Sequence, residues 1–199
     1  MDKANDKKHE ALEKEHSLKV GKRWHLDETI VSIDGELAYL WNCLDSETKI
    51  LLASEVTYGR TSDDAEMVVR EALRRAELGG EELEIVTDGL KSYPVALSRD
   101  YDCKIKHISK PKFTDSINNN LAERINETVK GRARNFRRLN DKTSSAELFE
   151  GFRLYYNSKR PHLSLDGKTP IDFSLDSNKI DKERFRVKSS GGTRPKLNP

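Results

Sequence analysis

The fold is decided by residues 24–35, which read WHLDETIVSIDG. Apolar side chains occur here on both faces of a strand, and the Asp34-Gly35 pair supplies a tight hairpin turn at its end. Two further apolar runs follow at 37–44 and 50–56, separated by a short polar turn. Strands joined by tight turns must be antiparallel, so these residues predict a three-stranded meander.

After residue 60 the pattern changes to alternating helices and strands. Apolar residues recur at helical spacing between Ser62 and Leu78, and a short apolar strand at 83–89 ends in a Thr-Asp-Gly turn. The remaining pattern predicts helices at 93–97, 117–130 and 145–156 and a fifth strand at 103–108. The sequence therefore predicts an α/β fold with one mixed five-stranded sheet, in which three antiparallel strands are followed by parallel additions and helices flank the sheet.

Length and composition limit the chain to one domain with charged ends. Of the 199 residues, 35% are apolar and 35% are charged. No apolar run approaches the roughly 20 residues of a membrane span, and no signal peptide is recognisable. We therefore expect a soluble cytoplasmic protein with no membrane partner. Residues 1–20 are predicted to form a flexible charged leader, 21–175 the folded core, and 176–199 a basic disordered tail.

The two cysteines, Cys43 and Cys103, lie in unrelated sequence contexts, and no Cys/His cluster occurs elsewhere. This pattern excludes a disulfide framework and a zinc site. Both residues are predicted to be small thiols in or just below the core.

Charge is divided unevenly along the chain, although the net charge is only +2. Residues 1–100 carry 14 Lys and Arg against 22 Asp and Glu, whereas residues 101–199 carry 22 against 12. The second half therefore predicts a basic surface that can contact a polyanion.

Three acidic residues stand out by their placement. Asp27 lies inside the first strand, where aspartate is rare and costly to bury, Asp88 ends the fourth strand, and Glu123 lies on a helix. If the first and fourth strands are neighbours, the three carboxylates meet and repel one another unless a divalent cation lies between them. Oxygen ligands favour Mg²⁺ or Mn²⁺. Taken singly, Asp88 also fits an ordinary turn and Glu123 a solvated helix face.

Four blocks of sequence resemble those of the DDE transposases of bacterial and archaeal insertion sequences, which are relatives of retroviral integrases. Three blocks contain the acids: WHLDET at 24–29, VTDG at 86–89 and NNLAER at 119–124. The fourth, YYNSKRPH at 155–162 with GKTP at 167–170, resembles the segment after the catalytic helix of these enzymes. The 34 residues between Asp88 and Glu123 match the spacing expected for that superfamily.

The resemblance implies an RNase H-like fold and the catalytic domain of a DNA transposase or integrase. Asp27, Asp88 and Glu123 would be its catalytic residues and would hold Mg²⁺ or Mn²⁺, with two ions expected. Such an enzyme would cleave the 3′ ends of a mobile element and join each 3′-OH to target DNA. Its partners would be element ends, target DNA and further copies of itself, in a homodimer or larger assembly on DNA. It would be prokaryotic and associated with the nucleoid.

The third ligand has one alternative, Glu127, which lies one turn beyond Glu123 on the same helix face. Catalytic helices of this family usually carry a basic residue seven positions after the glutamate. Lys130 fits Glu123 and Arg134 fits Glu127, so this spacing does not choose between them. The pattern Asn-Asn-x-x-Glu-Arg favours Glu123.

Three other acids close to these blocks are not predicted to be ligands. Asp34 and Asp45 fall in turns. Glu28 follows Asp27 directly, so the pleat of the strand points it to the opposite face of the sheet.

The basic half of the chain is predicted to bind DNA. Ten Lys and Arg residues fall between 101 and 140 against four acids. The residues expected to contact phosphate without reading sequence are Lys110, Lys112, Lys130, Arg134 and Arg138. The alternative is a solvated basic surface with no ligand.

Members of the resembled family usually carry an N-terminal module that recognises the ends of the element. The 20 residues before Gly21 are too few for one, so we expect a catalytic-domain fragment or a truncated gene product. Two other functions fit the same residues. One is a stand-alone RNase H-like nuclease, and the other is a catalytically decayed transposase that only binds DNA or a partner protein.

Overall fold

The computed structural model describes residues 18–78, 82–109, 120–133 and 141–176. The strands of this part of the chain are Leu18–Val20 (β1), Arg23–Ile33 (β2), Glu36–Asp45 (β3), Leu51–Thr57 (β4), Ala76–Leu78 (β5), Glu82–Thr87 (β6) and Lys104–Ser109 (β7). The helices are Ser62–Arg75 (α1), Ser92–Leu97 (α2), Asn120–Ala133 (α3) and Lys142–Lys159 (α4). A 3-10 turn at Leu163–Leu165 and a helical segment at 170–176 follow.

Five of the strands form the main sheet in the order β4-β3-β2-β6-β7. β2, β3 and β4 pair antiparallel, and β6 and β7 extend the sheet in parallel. This confirms the predicted mixed sheet. It also makes β2 and β6 neighbours, which is the condition for Asp27 and Asp88 to meet.

Helices cover both faces of this sheet and divide the core in two. On one face α1 and α2 pack over a cluster that includes Trp24, Trp41 and Cys43, all fully buried. On the other face α3 and α4 pack over the sheet through side chains such as Ile125 and Phe149. Complete burial of each large apolar side chain contributes about 1.5–3 kcal/mol, so both clusters stabilise the sheet. Both cysteines are free thiols.

A buried asparagine joins α4 to the edge strand β4. The Oδ1 atom of Asn157 accepts a hydrogen bond from the backbone N–H of Leu51 at 2.9 Å, and its Nδ2 atom donates to the carbonyl oxygen of Leu51 at 2.9 Å. The ladder between β3 and β4 shifts register just here, between Cys43 and Leu44. The Asn157 side chain therefore satisfies backbone groups at an irregular end of the strand.

α1 ends three residues earlier than the sequence predicts. Its start is fixed by a capping box between Thr61 and Asp64. At Ala76 the backbone becomes extended, with φ −100° and ψ 137°, and Ala76–Leu78 pairs in parallel with Leu18–Val20. The sequence placed residues 76–78 in the helix and residues 18–20 in the leader, and the structure differs on both. Helical propensity is a weak preference, and pairing with a segment distant in sequence overrides it here.

Several predictions concern residues outside the described ranges. These are the leader up to residue 17, the tail from residue 177, the first residues of the helix predicted at 117–130, and four of the expected phosphate contacts, Lys110, Lys112, Arg134 and Arg138. Among the helices that are described, none is long and apolar enough to cross a membrane.

Candidate metal centre

Asp27 lies in the middle of β2, opposite Asn42 of β3, on the face of the sheet that α3 covers. Only 8% of the residue is exposed. Its Oδ2 atom accepts a hydrogen bond of 2.8 Å from Nδ2 of Asn126 on α3. A carboxylate buried to this extent needs such donors, because an uncompensated charge in a protein core is costly.

Asp88 lies directly after the carboxyl end of β6, and it is exposed. The following Gly89 has a φ of +105°, a conformation that favours glycine, and the backbone N–H of Leu90 donates to Oδ1 of Asp88 at 2.9 Å. The parallel register pairs His25 with Val86, and two residues further along both strands it reaches Asp27 and Asp88. The turn predicted here therefore places the Asp88 carboxylate beside β2.

The structure brings the carboxylates of Asp27, Glu28 and Asp88 together, with one oxygen of each within 4.8 Å of the others. Burial of Asp27, followed by the charges of Glu28 and Asp88, raises the pKa of Asp27 from 3.8 to about 7. Crowded carboxylates of this kind repel one another, and a divalent cation removes the repulsion. The donors are oxygen atoms only, which suits Mg²⁺ or Mn²⁺.

Glu123 lies in the first turn of α3 with an exposed side chain. Its negative charge contributes to the raised pKa of Asp27, although its carboxylate is not part of the compact group that the other three form. Glu127, the alternative, instead lies 3.6 Å from the ammonium group of Lys130, measured from Oε1 to Nζ. Glu123 therefore acts on Asp27 through its charge, whereas Glu127 is paired with Lys130, which lies two helical turns beyond Glu123.

Glu28 leaves β2 on the face opposite Asp27, as the pleat predicts, and lies across from Trp41 of β3. Only 3% of its side chain is exposed. Oε1 accepts a hydrogen bond of 2.9 Å from Nε of Arg60, and Oε2 accepts one from the Tyr93 hydroxyl. The Glu28 carboxylate is therefore already paired with a guanidinium group and a hydroxyl group.

The pleat did not predict that the Glu28 carboxylate would nevertheless approach the other two. Asp88 lies beyond the end of β6, where side chains are no longer confined to one face of the sheet. Side chains on either face of β2 can therefore approach Asp88. The alternation of side chains along β2 alone does not predict which of them do so.

Sequence reasoning also missed Asn126, which is 5% exposed and contacts Asp27 directly. It lies on the buried face of α3 with Ala122, Ile125 and Val129. A polar amide among apolar residues at helical spacing is the signal that could have found it.

Comparison with known proteins identifies the family and the fold of this chain. The model of one protein family, DDE_Tnp_IS240, described as a DDE domain, matches residues 21–162. A search of curated proteins finds no match by sequence.

Solved structures of retroviral integrases are similar to this chain in fold. A chain of the simian T-cell lymphotropic virus intasome, solved with PP2A regulatory subunit B56 gamma, aligns with a TM-score of 0.58 at 15% identity, over 92% of this chain and 59% of that one. The catalytic core domain of BIV integrase aligns with a TM-score of 0.54 at 13% identity, over 81% and 98%. The HTLV-2 integrase catalytic core, solved with magnesium, gives 0.55 at 16% identity, over 80% and 99%.

These likenesses show that the sheet and its helices form the RNase H-like fold of integrase catalytic cores. The family match covers the strand that carries Asp27, the turn after β6 that carries Asp88, and the helix that carries Glu123. This chain spans 59% of the length of the intasome chain that it matches. The protein therefore belongs to the DDE_Tnp_IS240 family and carries a DDE transposase catalytic domain.

Proposed function

We propose that this chain catalyses 3′-end cleavage of a mobile DNA element and the joining of that end to target DNA. The observation that carries the proposal is the buried carboxylate of Asp27, which lies close to Asp88 at the carboxyl end of β6. A buried acid with a pKa of about 7 among other acids has no evident structural purpose and suits a cation site.

Asp27, Asp88 and Glu123 are the residues that would hold divalent cations, two in our proposal. Bound Mg²⁺ or Mn²⁺ would supply activation of the attacking oxygen and stabilisation of the leaving oxygen in an in-line displacement. The protein's own contribution is to keep Asp27 ordered and shielded from water, and to present Asp88 and Glu123 from the exposed side, where DNA can approach.

The reaction proceeds in two displacements at phosphorus. In the first, the oxygen of water attacks a phosphodiester at the element end, the bond from phosphorus to the 3′ oxygen breaks, and that oxygen takes a proton. In the second, the oxygen of the new 3′-OH loses its proton and bonds to the phosphorus of a target phosphodiester. The bond from that phosphorus to the 3′ oxygen of the target strand breaks, and the displaced oxygen takes a proton. Both ends of an element must be joined at one place, so we propose that two or more copies of the chain act together on DNA.

The experiment that tests this function supplies two DNA substrates with Mg²⁺ or Mn²⁺. The first is a branched duplex that represents the joined product with a free 3′-OH beside the branch. Reversal of joining on this substrate requires no recognition of element ends. The second is a linear duplex of unrelated sequence, which reports nicking. We expect the branched substrate to be resolved with formation of a new phosphodiester. Nicking without joining would indicate a stand-alone nuclease, and binding without either reaction would indicate a decayed transposase, and each would overturn the proposal.

We propose that Lys130 contacts DNA phosphate, from its position on α3 two turns beyond Glu123. Lys130→Ala is expected to weaken binding to unrelated DNA sequences by a similar factor and to reduce the slope of log affinity against log salt by about one. The measurement is a salt titration of duplex binding by fluorescence anisotropy.

Lys104→Ala is the matched control for Lys130. Lys104 is also a surface lysine beside a glutamate, with its Nζ 3.5 Å from Glu82, but it begins β7, at the end of the sheet opposite Asp88. We expect its salt slope to equal that of the wild type. Equal slopes for both variants would remove Lys130 from the DNA interface.

A further inference from the structure

A row of polar side chains crosses three strands of the sheet and ends at Asp27. The ladder pairs Asp27 of β2 with Asn42 of β3, and Asn42 with Ser54 of β4. All three residues are buried, with 8%, 0% and 2% of their surface exposed. They lie on the face of the sheet whose other side chains form an apolar cluster with α3 and α4.

Asn126 of α3 connects this row into one chain of hydrogen bonds. Its Nδ2 atom donates to Oδ2 of Asp27 at 2.8 Å, and its Oδ1 atom accepts from Nδ2 of Asn42 at 2.8 Å. The Oδ1 atom of Asn42 in turn accepts from the hydroxyl of Ser54 at 2.9 Å. Every link joins a donor to an acceptor, so the network is satisfied throughout.

The direction of donation along these hydrogen bonds is set by Asp27, where they end. An ionised carboxylate only accepts, so the amide nitrogen of Asn126 must face Asp27 and its oxygen must face Asn42. Asn42 then has to donate, which leaves its own oxygen for the Ser54 hydroxyl. All three donors therefore point toward Asp27, and such chains strengthen each bond through mutual polarisation.

A polar row in an apolar core requires a reason, because apolar residues of similar volume satisfy the same space without buried polar groups. Asn126 also lies three residues after Glu123, one turn along the same side of α3. A bond that ties Asn126 to β2 and β3 therefore fixes the part of α3 that carries Glu123.

We infer that Ser54, Asn42 and Asn126 form a positioning relay for the metal centre, which orients the Asp27 carboxylate and holds α3 in register with it. The inference rests on the proposed function, because it assigns the relay to that same site. None of the three side chains is proposed to touch a metal ion or DNA. Hydrogen-bond partners of metal ligands of this kind commonly change metal affinity by about 10- to 100-fold when removed.

The test measures Mn²⁺ affinity of the full chain, without DNA, by electron paramagnetic resonance of free Mn²⁺. Asn126→Leu keeps the branched shape of the side chain and removes both hydrogen bonds, and we expect it to weaken Mn²⁺ binding by about 10- to 100-fold. Asn42 is the cross-strand neighbour of Asp27, but its side chain is hydrogen-bonded to Asn126 and Ser54, and for Asn42→Leu we expect a several-fold loss of Mn²⁺ affinity transmitted through Asn126. Asn126→Ser is a milder second variant with the same direction of effect, in case the leucine variant does not fold.

Asn157→Leu provides the matched control. Asn157 is fully buried on α4 and makes two hydrogen bonds, but to the backbone of Leu51 and not to a carboxylate. It should lower the thermal midpoint, followed by circular dichroism, and leave Mn²⁺ affinity unchanged. A structural role alone would give Asn126 and Asn157 variants the same result.

Two results would overturn the relay: wild-type Mn²⁺ affinity in a folded Asn126 variant, or wild-type affinity in folded Asn42→Leu. A wild-type protein that binds no Mn²⁺ would overturn both the relay and the proposed function. Mn²⁺ binding that depends on Asn126, in a protein that joins no DNA, would overturn the proposed function and leave the relay supported.

Discussion

Asp88→Asn is expected to reduce metal-dependent DNA joining by at least about 10³-fold, because a lost ligand removes several kcal/mol of charge stabilisation from the displacement. Stability should change by less than about 0.5 kcal/mol, since Asp88 is exposed. The Oδ1 atom of an asparagine can still accept the hydrogen bond that the backbone N–H of Leu90 donates to Asp88. The measurement is the rate of resolution of the branched substrate, alongside thermal unfolding.

The control for Asp88→Asn is Asp34→Asn. Asp34 is also an exposed aspartate at a turn, with a φ of 51° that asparagine tolerates, at the tip of the hairpin between β2 and β3. We expect its activity to equal that of the wild type. Full activity in Asp88→Asn would refute the assignment of Asp88 as a metal ligand.

Asp27→Asn is expected to abolish joining and to stabilise the metal-free protein at pH 8. At that pH the buried Asp27 carboxylate is ionised among other acids, whereas asparagine is neutral and can still accept the hydrogen bond from Asn126. The gain is on the order of 4 kcal/mol, equivalent to roughly 10 °C in the thermal midpoint of a chain this size. Thermal unfolding in a chelating buffer measures it.

The pH dependence follows from the direction of the pKa shift. The pKa of Asp27 is raised from 3.8 to about 7 in the folded protein, so the folded state binds this proton more tightly than the unfolded state. The stabilisation of the folded state by this proton is complete below pH 4 and is lost as the pH rises through 7. The wild type should therefore lose stability relative to Asp27→Asn across this window.

Added Mg²⁺ should raise the thermal midpoint of the wild type more than that of Asp27→Asn at pH 8, because a bound cation stabilises only the folded protein that can hold it. Thermal midpoints that run parallel for the wild type and Asp27→Asn from pH 5 to pH 8 would contradict the burial of an ionisable group at this position.

The sequence predicted the sheet because its strands are defined by local signals. Alternating apolar residues and the Asp34-Gly35 turn specify the meander without long-range information. The strand predicted at 83–89 ends in a turn, so the sequence predicted that Asp88 lies close to Asp27 if β2 and β6 are neighbours. The sequence pattern shows that Asp88 ends one strand and that Asp27 lies inside another.

Other features depended on pairing between distant segments and could not be predicted from local patterns. Ala76–Leu78 looks helical and becomes a strand only because Leu18–Val20 lies beside it. The approach of Glu28 to Asp88 depends on the geometry of the sheet edge. The hydrogen bonds from Ser54 through Asn42 to Asn126 connect β4 to a helix more than 60 residues away in sequence. The sequence of either segment does not predict this contact with the other.

The most direct test of the proposed metal centre is the location of Mn²⁺ in crystals of this protein, from its anomalous scattering. We expect a peak between the carboxylates of Asp27 and Asp88, with Glu123 of α3 as a further ligand. Crystals with no ion at Asp27, or with Glu28 or Glu127 bound in place of Glu123, would contradict it.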